Sequence, residues 1–161
     1  MMWDFPYDSE KALAALLETE GLAMTKKFGQ NFLISASARR KIVEAIAVGP
    51  ADRVWEIGPG LGSLTADVLR TGASVTAFEI DHGFCRILRE QAFSGHAAFT
   101  LIEGDFLKTW EGEFSRNGVP EVICGNLPYN VGSICIARLI EGGCVPHRMV
   151  FTLQKEVAER L

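Results

Sequence analysis

The sequence lacks an excess of positive charge. Its 161 residues include 16 Lys and Arg against 20 Asp and Glu, a formal net charge of -4. A protein that covers nucleic acid broadly is usually basic, so any contact with RNA or DNA is expected to be local. One local candidate is an early basic group, for which ordinary solvated charge is an equally good interpretation: Lys26, Lys27, Arg39, Arg40 and Lys41.

Metal-ligand spacing and long apolar runs are also missing. The four Cys form no pair at such spacing and the three His are scattered, so no metal site is expected. No run approaches the ~18 apolar residues of a membrane span, and the acidic N-terminus is unlike a secretion signal. We therefore expect a cytoplasmic protein with no membrane segment and with reduced thiols, of which Cys124 and Cys135 lie in apolar runs typical of a core.

The apolar pattern predicts an α/β protein. Two helices are expected first, over 8–20 and from Ser35 or Ser37 to Gly49. Strands and helices then alternate, with strands predicted at 53–57, 74–80, 99–102, 122–124 and 149–153, and helices at 61–69, around 84–93 and at 133–140. Such alternation indicates a parallel sheet covered by helices on both faces. The sequence ends inside a helix that begins at Gln154, which favours a chain that stops before its domain does.

A glycine-rich loop joins the first predicted strand to its helix. Gly58, Gly60 and Gly62 allow a sharp turn and the close approach of a ligand. Their spacing is one residue shorter than the dinucleotide fingerprint, and Pro59 removes a backbone donor that a pyrophosphate would need. The loop therefore favours a neutral or cationic nucleoside over a diphosphate, and a turn without a ligand is the alternative.

Two acidic residues end the next two strands. Glu79 is placed to accept both hydroxyls of a ribose, and Asp81 is either an alternative acceptor or the cap of the following helix. Asp105 is placed to accept from an adenine amine, although an aspartate beside glycine is equally typical of a plain turn. With the glycine loop, these acids predict an adenosine site at the carboxyl edge of the sheet.

The fourth predicted strand ends in Gly-Asn-Leu-Pro-Tyr-Asn, residues 125–130. The amide oxygen of Asn126 and the backbone carbonyl of Leu127 can accept the two hydrogens of an exocyclic base amine, which returns the nitrogen lone pair for attack. Pro128 fixes the turn, and Tyr129 offers a ring on which the base can stack. A lone motif of this kind is more often a turn beside a core tyrosine. Its position at the same edge as the adenosine site favours the catalytic role.

With these motifs the sequence resembles a class I S-adenosylmethionine-dependent methyltransferase, in particular the KsgA family of small-subunit ribosomal RNA adenine dimethyltransferases. Five segments match in order: Phe28–Leu33, Glu56–Gly62, Glu79–Asp81, Asn126–Asn130 and Leu153–Val157. The first and last are specific to this family. The resemblance covers residues 26–161. It implies a Rossmann-like methyltransferase domain over 24–161, without the family's last strands and helical C-terminal domain. Residues 1–23 have no counterpart in the resemblance and are expected to form an N-terminal helical extension.

The resemblance also implies a site for S-adenosylmethionine formed by Asn31, Leu33, Gly58, Gly60, Glu79, Asp105 and Asn126. Asn31 and Leu33 would close over the cofactor, with Gly58 beneath it. Glu79 would hold the ribose and Asp105 the adenine amine. Asn126 would meet both the cofactor and the target amine, and Leu127, Pro128 and Tyr129 would complete the catalytic motif.

The implied reaction is dimethylation of the N6 amines of two adjacent adenines in a loop near the 3′ end of 16S rRNA, during ribosome biogenesis. The implied partner is this RNA in the assembling 30S particle. Much of the family's RNA contact comes from the C-terminal domain. We therefore expect this chain to hold the cofactor better than it methylates RNA.

Two alternatives stay open at this point. The related Erm class modifies the large ribosomal subunit; Leu127 and the Leu153-Gln-Lys-Glu segment mildly favour the KsgA family instead. The other alternative is a binding module, in which a methyltransferase fold serves as an assembly checkpoint or transcription factor and catalysis is secondary.

Overall fold

The fold is a five-stranded, fully parallel sheet in the order β3-β2-β1-β4-β5. The structure, a computed structural model, describes residues 2–22, 33, 35–127 and 129–152, without the side chains of residues 129 and 130. The strands are β1 (Arg53–Ile57), β2 (Ser74–Glu79), β3 (Phe99–Glu103), β4 (Val122–Asn126) and β5 (Arg148–Thr152). The predicted α/β class is confirmed, and each predicted strand is present to within two residues at either end.

Helices cover both faces of the sheet. They are α1 (Glu10–Thr19), α2 (Ala36–Ile46), α3 (Ser63–Leu69), α4 (His82–Ile87) with a π-helical continuation (Leu88–Ala92), α5 (Phe106–Asn117) and α6 (Tyr129–Glu141). Because alternate strand residues point to opposite faces, β1 contributes to two separate cores. Val54 packs in a cluster with residues of α1 to α4, whereas Trp55 packs with residues of α5 and α6.

Helix α5 is absent from the sequence-based prediction. Its apolar positions Phe106, Trp110 and Phe114 recur every four residues, and Asp105 caps it by accepting from the backbone N–H of Leu107 at 3.0 Å. Gly112 inside the helix disfavours this conformation by about 1 kcal/mol, which burial of the Trp110 ring offsets. The helix was missed because Asp105 was interpreted only as a turn or a ligand contact.

The boundaries of three other helices also differ from prediction. Helix α2 ends at Ile46, with Ala47 in the left-handed conformation, before the predicted stop at Gly49. The helix after β2 finishes in a π-helical segment, and α6 begins four residues earlier than expected because the motif at its start was treated as a loop. The helix expected from Gln154 lies outside the described residues.

The beginning of the chain packs on the same core as the sheet. Ser9 caps α1 by accepting from the backbone N–H of Ala12. Leu13, Leu17 and Tyr7 are buried in the cluster that includes residues of β1 and β2.

The basic group proposed as an RNA contact does not form a single surface patch. Arg39 is 6% exposed and forms ion pairs with Asp8 and Asp67. Its guanidinium therefore holds the fold together and is not available to RNA. Arg40 and Lys41 are exposed, and Lys26 and Lys27 lie outside the described residues.

Within the ranges that the structure describes, no helix is long and apolar enough to cross a membrane. The same ranges hold no cluster of three or more side chains suited to a metal ion. All four cysteines are buried free thiols, and burial raises the pKa of Cys85 to about 12 and that of Cys135 to about 11. The expected burial of Cys124 and Cys135 is confirmed.

Candidate functional site

Four of the residues predicted to form a site lie at the carboxyl edge of the sheet. In the strand register, Ile57 lies between Phe78 of β2 and Gly125 of β4, and Phe78 in turn pairs with Ile102 of β3. The ends of the four strands are therefore level. The predicted site residues at these ends are Gly58, which directly follows β1, Glu79 and Asn126, which end β2 and β4, and Asp105, which lies two residues after β3.

The glycine loop after β1 uses left-handed backbone conformations that favour glycine. The φ angles of Gly58, Gly60 and Gly62 are +68°, +59° and +86°. A Cβ atom added to Gly58 would meet nothing within 4 Å, so the backbone there faces open space that a ligand can approach.

Gly62 has a different role. A Cβ atom at this position would lie 2.6 Å from the ring of Phe93 and 3.0 Å from Leu88. Gly62 also occupies the N-cap position of α3 without a side-chain cap. It therefore allows the π-helical segment to pack against the start of α3, a structural role that the sequence pattern did not separate from ligand binding.

The Gly62→Ala variant is expected to lower the free energy of unfolding by roughly 2–5 kcal/mol, because left-handed strain and overpacking add. The matched control is Gly58→Ala, which has a similar φ but no steric neighbour and should cost about 1–2 kcal/mol. Urea unfolding of both variants measures the difference. Equal losses would show that the contact with Phe93 has no energetic role.

Glu79 links the loop to the end of β2. It is 4% exposed, and its Oε2 accepts from the backbone N–H of Gly60 at 3.0 Å while Oε1 accepts from that of Asp81 at 2.9 Å. A carboxylate has about four acceptor sites, and those that backbone donors do not use can accept from hydroxyl donors. Asp81 instead accepts from the first turn of α4, so its alternative role as a helix cap is confirmed.

A second buried carboxyl belongs to Glu56, which lies on β1, the strand that leads into the glycine loop. It accepts a hydrogen bond from the hydroxyl of Thr65. Burial raises the pKa of both Glu56 and Glu79 to about 7, and for Glu56 the nearby charge of Glu79 adds to this effect. The sequence analysis gave Glu56 no role; an acidic residue inside an otherwise apolar strand was the available signal.

These raised pKa values predict a fall in stability with pH. Between the ordinary value of 4.5 and about 7, the folded chain keeps protons that the unfolded chain releases, so unfolding becomes easier as pH rises through this window. Glu56→Gln, which keeps an acceptor for Thr65, should be roughly 1–3 kcal/mol more stable than the unsubstituted chain at pH 8 and nearly equal to it at pH 5. Urea unfolding at the two pH values checks this. An unchanged pH dependence in the variant would assign the effect to other groups.

Asp105 and Asn126 lie on opposite sides of the candidate site. The Oδ1 atom of Asp105 is used by the cap of α5, and the other acceptor sites of this carboxylate suit an amine donor. Asn126 is half-buried, and its Oδ1 accepts from the hydroxyl of Thr152, its partner in the β4–β5 register.

The remaining predicted residues are placed only in part. The carbonyl of Leu33 accepts from Arg39 at 2.9 Å, and the side chain of Leu127 is buried in the cluster with α5 and α6. Tyr129 begins α6, and its side chain is not described. Asn31 and Pro128 lie outside the described residues.

Gly125 is a site residue to which the sequence analysis gave no role. A Cβ atom there would lie 2.6 Å from the backbone oxygen of Ile57, so only glycine lets β4 approach β1 this closely. A glycine between the predicted strand 122–124 and Asn126 was the signal for this close approach.

The sheet, the glycine loop and the acidic residue ending β2 define a Rossmann-like domain of the class I methyltransferase type. Two solved structures share this fold: a dimethyladenosine transferase from Plasmodium falciparum (TM-score 0.65, 29% identity, 78% of this chain and 44% of that one) and the 23S rRNA methyltransferase ErmE (TM-score 0.63, 27% identity, 80% and 50%). Residues 21–161 match the family model described as "Ribosomal RNA adenine dimethylase", and the chain belongs to this family.

Curated relatives carry the name "Ribosomal RNA small subunit methyltransferase A". The protein from Treponema denticola is 48% identical over 156 residues, and that from Borreliella burgdorferi strain B31 is 42% identical over 155. Each alignment covers 96% of this chain and 53% of the relative, so the chain spans about half the length of the curated relatives it matches. The resemblance to the KsgA family is confirmed, and these small-subunit names favour it over the Erm class.

Proposed function

We propose that this chain binds S-adenosylmethionine at the carboxyl edge of its sheet and dimethylates the N6 amines of two adjacent adenines in 16S rRNA. The adenines would lie in a loop near the 3′ end of the RNA, in the assembling 30S particle. One observation carries the proposal: an open glycine loop, two carboxylates and an amide lie at or just beyond the level ends of four neighbouring strands, namely Gly58, Glu79, Asp105 and Asn126. The names of the relatives support the choice of RNA.

The described residues fit this cofactor. The open space beside Gly58 suits a ligand resting on the loop, with Gly60 held in place by its hydrogen bond to Glu79. The remaining acceptor sites of Glu79 would take the ribose hydroxyls, and those of Asp105 the adenine amine. Leu33, fixed by Arg39, and Asn31 would cover the cofactor. S-adenosylmethionine, when bound, supplies a methyl group on a positively charged sulfur.

The motif after β4 would activate the target amine. Asn126 Oδ1 and the backbone carbonyl of Leu127 accept the two amine hydrogens, so the nitrogen lone pair is no longer delocalised into the ring and can attack. Pro128 would set the turn and Tyr129 would stack on the base. An adenine in a loop is easily extruded, because little pairing or stacking is lost. No residue needs to form a covalent intermediate.

The charge of the chain sets how it would meet RNA. A net charge of -4 disfavours broad coverage of a phosphate backbone, so RNA would be contacted locally at the sheet edge. We place the reaction in the cytoplasm, where small subunits assemble in bacteria, with no metal ion required. The chain should therefore bind cofactor well and RNA weakly.

Transfer of labelled methyl groups from S-adenosylmethionine to undermethylated 30S particles tests the function. We expect slow labelling of 16S rRNA, with dimethyladenosine found by mass spectrometry of the nucleosides. Large subunits serve as the matched control and should stay unlabelled. Labelling of 23S rRNA instead would favour the Erm class, and cofactor binding without transfer to either RNA would contradict the enzymatic proposal for this chain.

A further inference from the structure

A tyrosine near the beginning of the chain contacts the glycine loop. The Tyr7 hydroxyl lies 2.9 Å from the backbone carbonyl oxygen of Leu61, which stands between Gly60 and Gly62. Tyr7 is 5% exposed. The contact joins residues 54 positions apart, so the local sequence of the loop gives no sign of it.

The direction of this hydrogen bond is fixed by a second one. The indole Nε1 of Trp3 lies 2.7 Å from the Tyr7 hydroxyl and can only donate, so the Tyr7 oxygen accepts there and its proton goes to Leu61. The Trp3 ring stacks on Phe5 with centroids 4.8 Å apart. The backbone N–H of Trp3 also donates to the carbonyl of Ala92 at 2.9 Å. We call residues 3–8 the N-terminal brace.

Asp8, the residue after Tyr7, connects the N-terminal brace to a second chain segment, the one that contains Leu33. Asp8 accepts from Arg39, whose guanidinium also donates to the carbonyl of Leu33 at 2.9 Å and to Asp67 of α3 at 2.9 Å. Two consecutive residues, Tyr7 and Asp8, therefore connect to the two chain segments between which the cofactor would lie. Tyr7 does so directly, and Asp8 does so through one buried side chain.

We propose that Tyr7 is a positioning residue for cofactor binding, acting through the Leu61 carbonyl to hold the glycine loop in its binding conformation. This rests on the cofactor site proposed above. Loss of the hydroxyl leaves a buried carbonyl without its donor. The loop can then relax toward conformations that satisfy that carbonyl but no longer match the cofactor, and the fraction of chains ready to bind falls.

Titration calorimetry with S-adenosylmethionine, well below the unfolding temperature, tests the proposal. Tyr7→Phe keeps the ring and removes the hydroxyl, and we expect the Kd to rise roughly 5- to 20-fold. The matched control is Ile46→Val, a conservative change at a fully buried residue of α2 in the same core cluster. It is expected to lower stability by a similar amount and leave the Kd unchanged. Equal affinity of Tyr7→Phe and the unsubstituted chain would overturn the proposal.

Amide hydrogen exchange separates this proposal from the cofactor site itself. Without cofactor, Tyr7→Phe should speed exchange at Gly60 and Gly62 roughly 3- to 10-fold, with Ile46→Val unchanged. Exchange could be faster in Tyr7→Phe while the unsubstituted folded chain binds no S-adenosylmethionine. That combination would overturn the proposed cofactor site, and with it a role of Tyr7 in binding. Unchanged exchange with normal binding would overturn the brace alone. A structural role only would change the two variants equally.

Discussion

Replacing Glu79 by alanine is expected to weaken S-adenosylmethionine binding by about 100-fold or more, because hydrogen bonds to a charged acceptor contribute roughly 1.5–3 kcal/mol each. Two ribose hydroxyls would donate to this carboxylate. The same change removes the acceptor for the backbone N–H of Gly60, so the loop also loses its attachment to the end of β2. Both effects lower affinity, and calorimetry on the folded variant measures their sum.

The matched control is Glu103→Ala. Glu103 ends β3 and is the register partner of Glu79, so it places a carboxylate at the same edge of the sheet. Its oxygens contact Arg89 and His82 at the surface instead of the loop. We expect this variant to bind cofactor like the unsubstituted chain. Equal losses in the two variants would mean that general negative charge at the edge matters, and not the position of Glu79.

The same carboxyl should make binding depend on pH. Ribose hydroxyls donate hydrogen bonds, so the ionised form of Glu79 is the form that binds. Because burial raises its pKa to about 7, affinity should fall as pH is lowered from 8 to 6. Glu79→Gln should bind weakly with a flatter pH profile. A profile that stays equally steep in this variant would assign the pH dependence to another group.

The Asn126→Ala variant is expected to slow methyl transfer by about 10²–10³-fold, the usual effect of removing one preorganised polar group at a reacting centre. Without Oδ1, one amine hydrogen has no acceptor and the nitrogen lone pair stays delocalised. Cofactor affinity should change only several-fold, since Gly58, Glu79 and Asp105 remain. Single-turnover transfer to 30S particles at saturating cofactor separates the two effects.

Thr152→Val provides the matched control for Asn126. It removes the hydroxyl that donates to Asn126 Oδ1 and keeps the amide itself. A loss of about tenfold or less is expected, because only the orientation of the amide is affected. If Asn126→Ala transferred methyl groups at the normal rate, the catalytic role of the motif would be wrong.

Cells that carry only the Asn126→Ala form of the protein test the alternative that the protein is a binding module. Normal maturation of small subunits in these cells would show that binding is the essential part of the protein's work. Impaired maturation with normal particle binding would show that the chemistry is essential.

The sheet was predictable because its central strands are largely buried and therefore stand out as short apolar runs. β1 occupies the predicted residues 53–57 without error. The sequence-based prediction lacks α5 and the capping role of Asp105. It treats Asp105 as a turn residue or a ligand contact and does not include the third possibility, that the same residue begins a helix. Helix boundaries differed where the backbone departs from the apolar pattern: Ala47 ends α2 in the left-handed conformation, and α6 already begins at Tyr129.

The meeting of Gly58, Glu79 and Asn126 at one edge of the sheet was predictable from the sequence, whereas the contacts that hold them were not; their role in binding stays a prediction. The sequence places Gly58, Glu79 and Asn126 at strand ends, and parallel pairing then brings them to one edge. It does not show that Glu79 holds the loop by the backbone of Gly60, or that Tyr7 contacts Leu61, because both contacts depend on the packed tertiary structure. Asp81 illustrates the converse: its local cap was predictable from its position before a helix.

The contact between Gly62 and Phe93 has a consequence for how sequences of this family can vary. The ring of Phe93 occupies the space that a side chain at position 62 would need, so the two positions share a single volume. A side chain gained at 62 requires a smaller residue at 93, and a change at either site alone leaves a clash or a void. A side chain at position 62 is therefore expected only together with a smaller residue at position 93, and the left-handed backbone at 62 still favours glycine there.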